Sequence, residues 1–562
     1  MLDKAWSGTA SKRAWWFLFL TLVPLSFYLR FQGLNSPLMD VHPIRQTQTA
    51  LTTYYFAHGD IGFWDYRSPL NGKLWDFVFE LPVYQWITAQ FMKLGLGLEM
   101  ASRLVNIGFF IGCAALFSAL LAEILGFSYA VWGGLLFFTA PFNIVFSRTA
   151  LIDWTALFFA LLMAFSFARA LKTQSVLWLL LMTLGGSLAG AIKVTAWYLP
   201  VAILGLTLLW AFATKRCHKV FFLFALGSFA MQLAATLAWT HWADSIRANP
   251  NSNAPWLLGP LSIRTELWRY KKIFGGYLGR WVLAEWLVVP FVLGLLMPRD
   301  KKVWAWVSFL ALCTGILVFF NVHTYHDYYL IVLLPFVFLI VSIGMVRVFE
   351  FKGPVQILMT LVLAVLFVHQ VTRASALFGS LFYDYEKEIS LARELKAMTD
   401  PEDVIIMTDE VLQAWHIPLY AERLATPILP KQITDLNPSV VRFYPGKEDW
   451  TYIKDVPSLW IEADAKALWF FRVREMGSHK FNAETHIALM DKGSLGLPTL
   501  QWGTQTIKTC GASPAKVFNV PSSAKGIAIH TPTQSFSLPV RRFLSLPRQS
   551  IWGCEYQVEV TS

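Results

Sequence analysis

Charge is scarce in this chain. Only 15% of its 562 residues are Asp, Glu, Lys or Arg, against 56% hydrophobic and 16% aromatic. Together with a mean hydropathy of +0.48, that balance excludes an ordinary soluble protein of this length. Cysteine is scarce too. There are five, and Cys113, Cys217 and Cys313 lie in or beside apolar runs. No Cys pair has zinc-ligand spacing, there is no His-Glu-x-x-His run and there is no Gly-rich phosphate loop, so the usual short signatures of metalloproteases and nucleotide enzymes are missing. No solenoid period or low-complexity tract stands out. The run from Ala14 to Tyr28 follows Lys4, Lys12 and Arg13 as in a signal peptide. No small-residue cleavage site comes after it, so it reads as an uncleaved first helix.

What the chain has is long apolar runs. They fall at about 14–31, 103–124, 129–146, 151–171, 177–194, 196–214, 219–240, 280–297, 303–320, 328–346 and 354–373. Runs of this length read as transmembrane helices, which gives about eleven spans. The net charge of +11 does not point to nucleic acid, because the basic residues sit in short loops between spans, as orientation signals do. With the N-terminus in the cytoplasm and segment 82–98 lying on the surface, one side collects Arg169 and Lys172; Lys215, Arg216 and Lys219; Arg299, Lys301 and Lys302; and Arg347 and Lys352. Were 82–98 to cross, all of these clusters would lie outside, against the positive-inside rule. Segment 82–98 therefore reads as a juxtamembrane helix, with Tyr84 and Trp86 at headgroup depth.

This threading puts the loop from Asp40 to Glu80, the turn before Asp153, the loop 241–279, the turn 323–327 and the tail beyond residue 374 on the outer, periplasmic or extracellular face of a cytoplasmic membrane. The expected organisation is a transmembrane domain over residues 1–374 and an extracytoplasmic α/β domain over 375–562. In the tail, 386–398 reads as an amphipathic helix and 403–408 as a buried strand. Cys510 and Cys554 are the tail's only cysteines, hence candidates for a disulfide in an oxidising compartment.

The ionisable residues of interest gather on that outer side. Asp40, in Met39-Asp40-Val41-His42-Pro43-Ile44-Arg45, has the chemistry of a general base, with His42 beside it as an acceptor contact; a solvated acid at a helix end is the bland alternative. Glu80 opens Glu80-Leu81-Pro82-Val83-Tyr84-Gln85-Trp86, where an acid at a helix start is also explained by the macrodipole alone. Asp153 stands at the mouth of a span, where an acid needs a partner; Arg148 and Arg45 are the candidates. His323, His326 and Asp327 share one turn and with Glu80 offer nitrogen and oxygen ligands to a divalent cation (Mg, Mn or Zn); the alternative is interfacial histidines bonded to neighbours. Lys193 either snorkels or meets a lipid phosphate. Arg264, Arg269, Lys271 and Lys272 are basic on the outer side, against the trend, and suit lipid phosphate or plain solvation.

Taken together, these features resemble the polytopic glycosyltransferases of the GT-C fold, and within them the branch of protein O-mannosyltransferases and lipid A aminoarabinose transferases. The resemblance covers about residues 14–350. It rests on Asp40 and Arg45 after the first helix, on Glu80, Pro82, Tyr84 and Trp86, on Arg148 and Asp153 spaced Arg-x-x-x-x-Asp, and on His326, Tyr328, Tyr329 and Leu333-Leu334-Pro335. The Asp-Glu-x-x-Arg form and the Lys-Pro-Pro of many relatives are absent, as is the Trp-Trp-Asp signature of oligosaccharyltransferases. The resemblance implies a sugar donor on a polyprenyl phosphate and an acceptor glycan, lipid or protein. It implies catalytic roles for Asp40 and Asp153 and a metal at Glu80 and His326. Phosphate contacts would come from Arg45 and Lys193, with Arg269, Lys271 and Lys272 added on position alone; Arg148, Tyr84 and Tyr328 complete the site. The competing readings are a transporter or flippase of lipid-linked sugars and a non-catalytic assembly subunit. A transporter is expected to carry internal repeats or broken midplane helices, and no clear repeat is seen.

Overall fold

The structure, a computed structural model, describes residues 9–58, 61–64, 78–246, 253–351 and 353–398. Beyond these it describes the stretches 404–408, 416–428, 468–471, 474–476, 480–482, 500–508, 516–519, 521, 524–530, 535–538, 543–546 and 555–561. The chain forms two compact units. One holds the described residues of Met1–Val41, Thr53–Tyr66 and Val78–Tyr383, the other those of His42–Thr52 and Asp384–Ser562.

The first unit is helical. Its elements begin with α1 (Thr9–Phe31); α2 (Pro43–His58) starts in the other unit. Then come α3 (Val83–Lys93), α4 (Leu98–Ile124), α5 (Phe127–Thr139), α6 (Pro141–Phe146), α7 (Asp153–Thr173), α8 (Val176–Ile192), α9 (Val194–Ala213) and α10 (Lys219–Ile246). After the short α11 (Asn253–Leu258) and α12 (Leu267–Tyr270) come a π-helix (Lys271–Val282), α13 (Val288–Leu296), α14 (Lys302–Val318) and α15 (Phe320–Tyr325). A 3₁₀ turn (Asp327–Leu333), α16 (Leu334–Glu350) and α17 (Pro354–Phe378) complete it. Among the described residues, six helices are long and apolar enough to cross a membrane: those at Lys12–Phe31, Leu98–Ile124, Asp153–Thr173, Val194–Ala213, Lys219–Ser245 and Asp327–Glu350. Four shorter apolar helices accompany them. With eleven residues, α3 is far short of the roughly 20 a crossing needs.

Breaks explain where the observed helices differ from the apolar runs. The run 129–146 is two helices, because Pro141 starts a new one and has no N–H to continue α5. The run 280–297 is also interrupted. The π-helix stops at Val282, Ala284 and Glu285 beyond it are left-handed (φ 48° and 57°), and only the nine residues of α13 are α-helical. Hydropathy registers composition and is blind to both events. A third break matters most for the site: Lys193 is extended (φ −158°, ψ 103°) between α8 and α9.

Close packing within the bundle uses missing side chains rather than greasy ones. A Cβ at Gly185 of α8 would stand 2.8 Å from the carbonyl oxygen of Phe159 in α7, and one at Gly344 of α16 would collide with the carbonyl of Pro290 in α13. Small residues at crossing points are how helices approach when lipid is as apolar as leucine. The polar Gln232 of α10 is fully buried but satisfied: it accepts from Trp197 Nε1 (3.1 Å) and donates to the Met182 carbonyl (3.3 Å). At the ends of α4 and α7, Glu123 pairs with Arg169 (3.2 Å) and Lys172 (2.9 Å), so the two helices run parallel.

In the second unit α18 (Glu386–Met398) precedes β1 (Val404–Thr408), at the places where the sequence predicts a helix and a strand. With β2 (Leu424–Ile428) and β3 (Leu468–Phe471), β1 forms a parallel sheet in the order β2-β1-β3, and α19 (His416–Ala421) lies between β1 and β2 in sequence. Farther on, Gly503–Lys508, Glu555–Thr561, Gly526–His530 and Ser535–Leu538 form an antiparallel sheet in that spatial order. Cys510 and Cys554 lie outside the described residues.

Candidate functional site

The N-terminal ends of α4 and α7 and the loops around them carry an unusual density of buried charge. Gly33, left-handed at φ +54°, closes α1. Beyond it the chain runs through Leu34, Ser36 and Pro37 to Asp40. Arg103, in the second turn of α4, holds that loop: its guanidinium donates to the carbonyls of Leu34 (3.1 Å), Ser36 (2.5 Å) and Pro37 (3.2 Å) and lies 3.6 Å from the Asp40 carboxylate. Both side chains are almost wholly buried. A planar fork with five donors can tie a loop and a carboxylate at once, which an ammonium cannot. Sequence reasoning missed Arg103. The available signal was an arginine at the start of a 22-residue apolar run, where a cation is costly without a task.

Asp153 is the first residue of α7, where the macrodipole favours an acid. Its partner is Lys193, whose Nζ stands 2.5 Å from Oδ1, with the two side chains 1% and 10% exposed. The sequence reading put Arg148 or Arg45 in that place. The broken backbone at Lys193 explains the difference: a residue between two helices is free to turn its side chain inward. Arg148 donates to the carbonyl of Gly33 (3.2 Å), while Arg45 donates to Gln48 (2.5 Å) and belongs, like His42 (φ 49°), to the second unit.

The Lys193 ammonium also lies over the ring of Tyr329 (3.6 Å to the centroid) and near that of Tyr328 (5.2 Å). Both rings neighbour His326, which in turn lies beside Trp256. His323, buried behind them, is held neutral: burial first, then the Lys193 charge, pushes its pKa down to about 3. The loop bearing Glu80 joins the same region, because the N–H of Leu81 donates to the carbonyl of Ala191, two residues before Lys193 (3.0 Å). Glu80, 6% exposed, accepts from Gln85 (2.8 Å). Tyr84, expected from sequence at headgroup depth, faces the protein interior. It is fully buried, donates to the Ser102 carbonyl (2.8 Å), and its hydroxyl pKa is pushed up by that burial. Trp86 and Phe91 are the exposed aromatics of α3.

Two bonds from Asn106 to the carbonyls of Phe146 (3.2 Å) and Thr149 (2.6 Å) stitch α4 to the turn before Asp153. Buried Arg30 reaches the same turn through Ser147 (2.8 Å) and lies over Phe110 and Phe138. The structure therefore gathers Asp40, Glu80, Arg148, Asp153, Lys193, Tyr328 and His326 within one unit, on elements bonded to one another.

In the basic run 264–272, Arg264 and Arg269 have partners of their own. Arg264 donates to the backbone carbonyls of Leu258, Pro260, Leu317 and Val318, and Arg269 pairs with Glu266 (2.9 Å). Lys271 is an exposed residue of the π-helix, and Lys272 lies over Tyr277 and Tyr325. A divalent cation at Glu80 and His326 would need further ligands. Among the described residues no group of three or more His, Cys, Asp or Glu is gathered to hold one, so this pair does not by itself fit a metal centre.

No family model matches the chain, and no curated protein matches it. Solved structures do. ArnT from Cupriavidus metallidurans in the apo state matches over 74% of this chain and 86% of its own, with a TM-score of 0.50 at 14% identity. The same protein bound to undecaprenyl phosphate matches over 73% and 85%, with a TM-score of 0.48 at 13% identity. An oligosaccharyltransferase from Archaeoglobus fulgidus in complex with Zn and sulfate matches over 73% of this chain and 62% of its own, with a TM-score of 0.46 at 12% identity. The match to apo ArnT identifies the fold. The chain is a polytopic membrane protein of the GT-C fold.

Proposed function

We propose that this chain is an integral membrane glycosyltransferase that moves a sugar from a polyprenyl-phosphate donor to an acceptor hydroxyl. The observation that carries the reading is the pair of buried acid–cation couples, Asp40–Arg103 and Asp153–Lys193, on the adjoining ends of α4 and α7 in a GT-C fold. A structural core has little use for two such couples, since desolvating each ion costs several kcal/mol.

In this reading Asp40 is the general base. It takes the proton as the acceptor oxygen attacks the anomeric carbon, and the bond from that carbon to the phosphate oxygen breaks with its electron pair going to the phosphate. Direct displacement inverts the anomeric centre. Arg103 fixes the position of the Asp40 carboxylate. Lys193, spread between Asp153 and the Tyr329 ring, supplies positive charge for the departing phosphate, and Asp153 sets its position. His323, held neutral behind Lys193, adds no competing charge.

The positive-inside pattern supports an orientation with the N-terminus in the cytoplasm and the Asp40 end outside, about eleven crossings, and residues 375–562 as an extracytoplasmic domain. Nucleotide sugars are absent on that side, so a donor already carried on a lipid fits. Purified protein given a polyprenyl-phosphate donor with a labelled sugar, together with an envelope extract, is expected to label an acceptor and release the polyprenyl phosphate. Donor binding without transfer would overturn the reading in favour of a transporter of lipid-linked sugars, and absence of donor binding in favour of an assembly subunit.

A further inference from the structure

At the opposite ends of the same helices lies a second feature. The 21 residues of α7 place its far end about 30 Å from Asp153, at 1.5 Å per residue. From there back to Leu157, one turn from Asp153, α4, α7, α9, α14 and α16 line a cavity of about 580 Å³, within the roughly 300–1,000 Å³ of small-molecule sites. Its body is apolar, lined by residues such as Phe117, Ala164 and Leu204, and small side chains on α7 make the room. Charge is confined to its mouth, where Glu123, Lys172 and Arg216 line it beside Trp210 and Trp304.

The charges there do not balance. Glu123 is shared by Arg169 (3.2 Å) and Lys172 (2.9 Å). Arg216 lies over the Trp210 ring (4.5 Å), and among the described residues no acid pairs with it. The one carboxylate thus serves two cations and leaves Arg216 over, and Lys172 and Arg216 line a slot that suits a hydrocarbon chain. Basic pockets between transmembrane helices are suited to anionic lipid headgroups, and indole rings favour the interface depth at which such a headgroup sits. We infer that this cavity binds one anionic glycerophospholipid, with an acyl chain among Phe117, Ala164 and Leu204 and its phosphate on Arg216 and Lys172. The charged mouth lies at the end of α7 away from Asp153, and the inference stands whether or not the proposed transfer reaction does.

The test uses the full-length protein reconstituted in vesicles of equal parts phosphatidylglycerol and phosphatidylcholine, extracted in mild detergent and weighed by native mass spectrometry. Phosphatidylglycerol is expected to be retained in preference to phosphatidylcholine. Arg216→Gln, an exposed change that leaves the helices intact, is expected to weaken that retention by about tenfold or more, the loss of a charge-assisted contact. Ala164→Phe, which fills the slot and leaves the mouth untouched, is expected to abolish it. Equal retention of the two lipids, or full phosphatidylglycerol retention in Ala164→Phe, overturns the site. Preferential retention of a polyprenyl phosphate carried over from the host membrane overturns the choice of a glycerophospholipid.

Discussion

Replacing Lys193 by Met isolates the most exposed assumption, that Asp153 and Lys193 act as a couple. The substitution keeps the length and the apolar stem of the side chain and deletes the ammonium. It leaves a carboxylate whose side chain is 1% exposed with its bonded cation gone. Removing one member of a buried pair typically costs about 3–5 kcal/mol, because the other is stranded away from water. At 1.4 kcal/mol per decade that is roughly a hundredfold or more in the folded-to-unfolded ratio. Removing both charges is far cheaper, since a neutral pair of similar volume has no desolvation to recover. Lys193→Met is therefore expected to lower stability sharply, and Asp153→Asn in the same chain to restore most of the loss. The assay is denaturant unfolding of the purified proteins in one detergent, followed by tryptophan fluorescence, for the four members of a double-mutant cycle. Additive losses, with the double variant less stable than either single one, would refute the coupling.

Other expectations follow from the same geometry. Arg103→Lys cannot bond three carbonyls and a carboxylate together; it is expected to lower kcat at least tenfold while donor affinity changes little, as measured by steady-state transfer and by donor binding. The pKa of His323, lowered to about 3 by burial, lies below the unfolded value of about 6.5. The unfolded chain therefore binds the extra proton between those values, and stability is present above pH 6.5 and lost as the pH falls, by about 2 kcal/mol at pH 5. His323→Gln is expected to flatten that part of the pH–stability curve. Gly344→Ala drives a methyl into the Pro290 carbonyl and is expected to cost about 1–3 kcal/mol, read as a lower unfolding midpoint and a reduced yield of monodisperse protein.

Much of the site was legible in the sequence because it obeys rules that are local. Acids at helix starts, an acid after the first span and a Pro at the head of the Tyr84 helix all carry their context within a few residues. Asp40, Glu80 and Asp153 stand out on those grounds, Lys193 by its place at a span end and His326 by its turn, and all five lie in one unit. Pairing was not legible. Asp153 and Lys193 are forty residues apart in the chain, and nothing in either neighbourhood distinguishes Lys193 from Arg148 as partner. Arg103 stayed hidden because a lone arginine at the start of an apolar run also reads as a flanking charge. The burial of Tyr84 was not legible either, because it comes from packing in the core and a bond to Ser102 on another helix. The breaks at Pro141 and at Ala284–Glu285 lie inside runs whose composition is uniformly apolar, so hydropathy carries no mark of them.

The central claim is that Asp40 deprotonates an acceptor in a transfer from a lipid-phosphate sugar. It is tested most directly by comparing purified wild type and Asp40→Asn for transfer of a labelled sugar from a polyprenyl-phosphate donor, with donor binding measured on the same samples. The account predicts that both bind donor, that wild type transfers the sugar with inversion, and that Asp40→Asn loses turnover by at least about a hundredfold. Turnover by Asp40→Asn at the wild-type rate would contradict it.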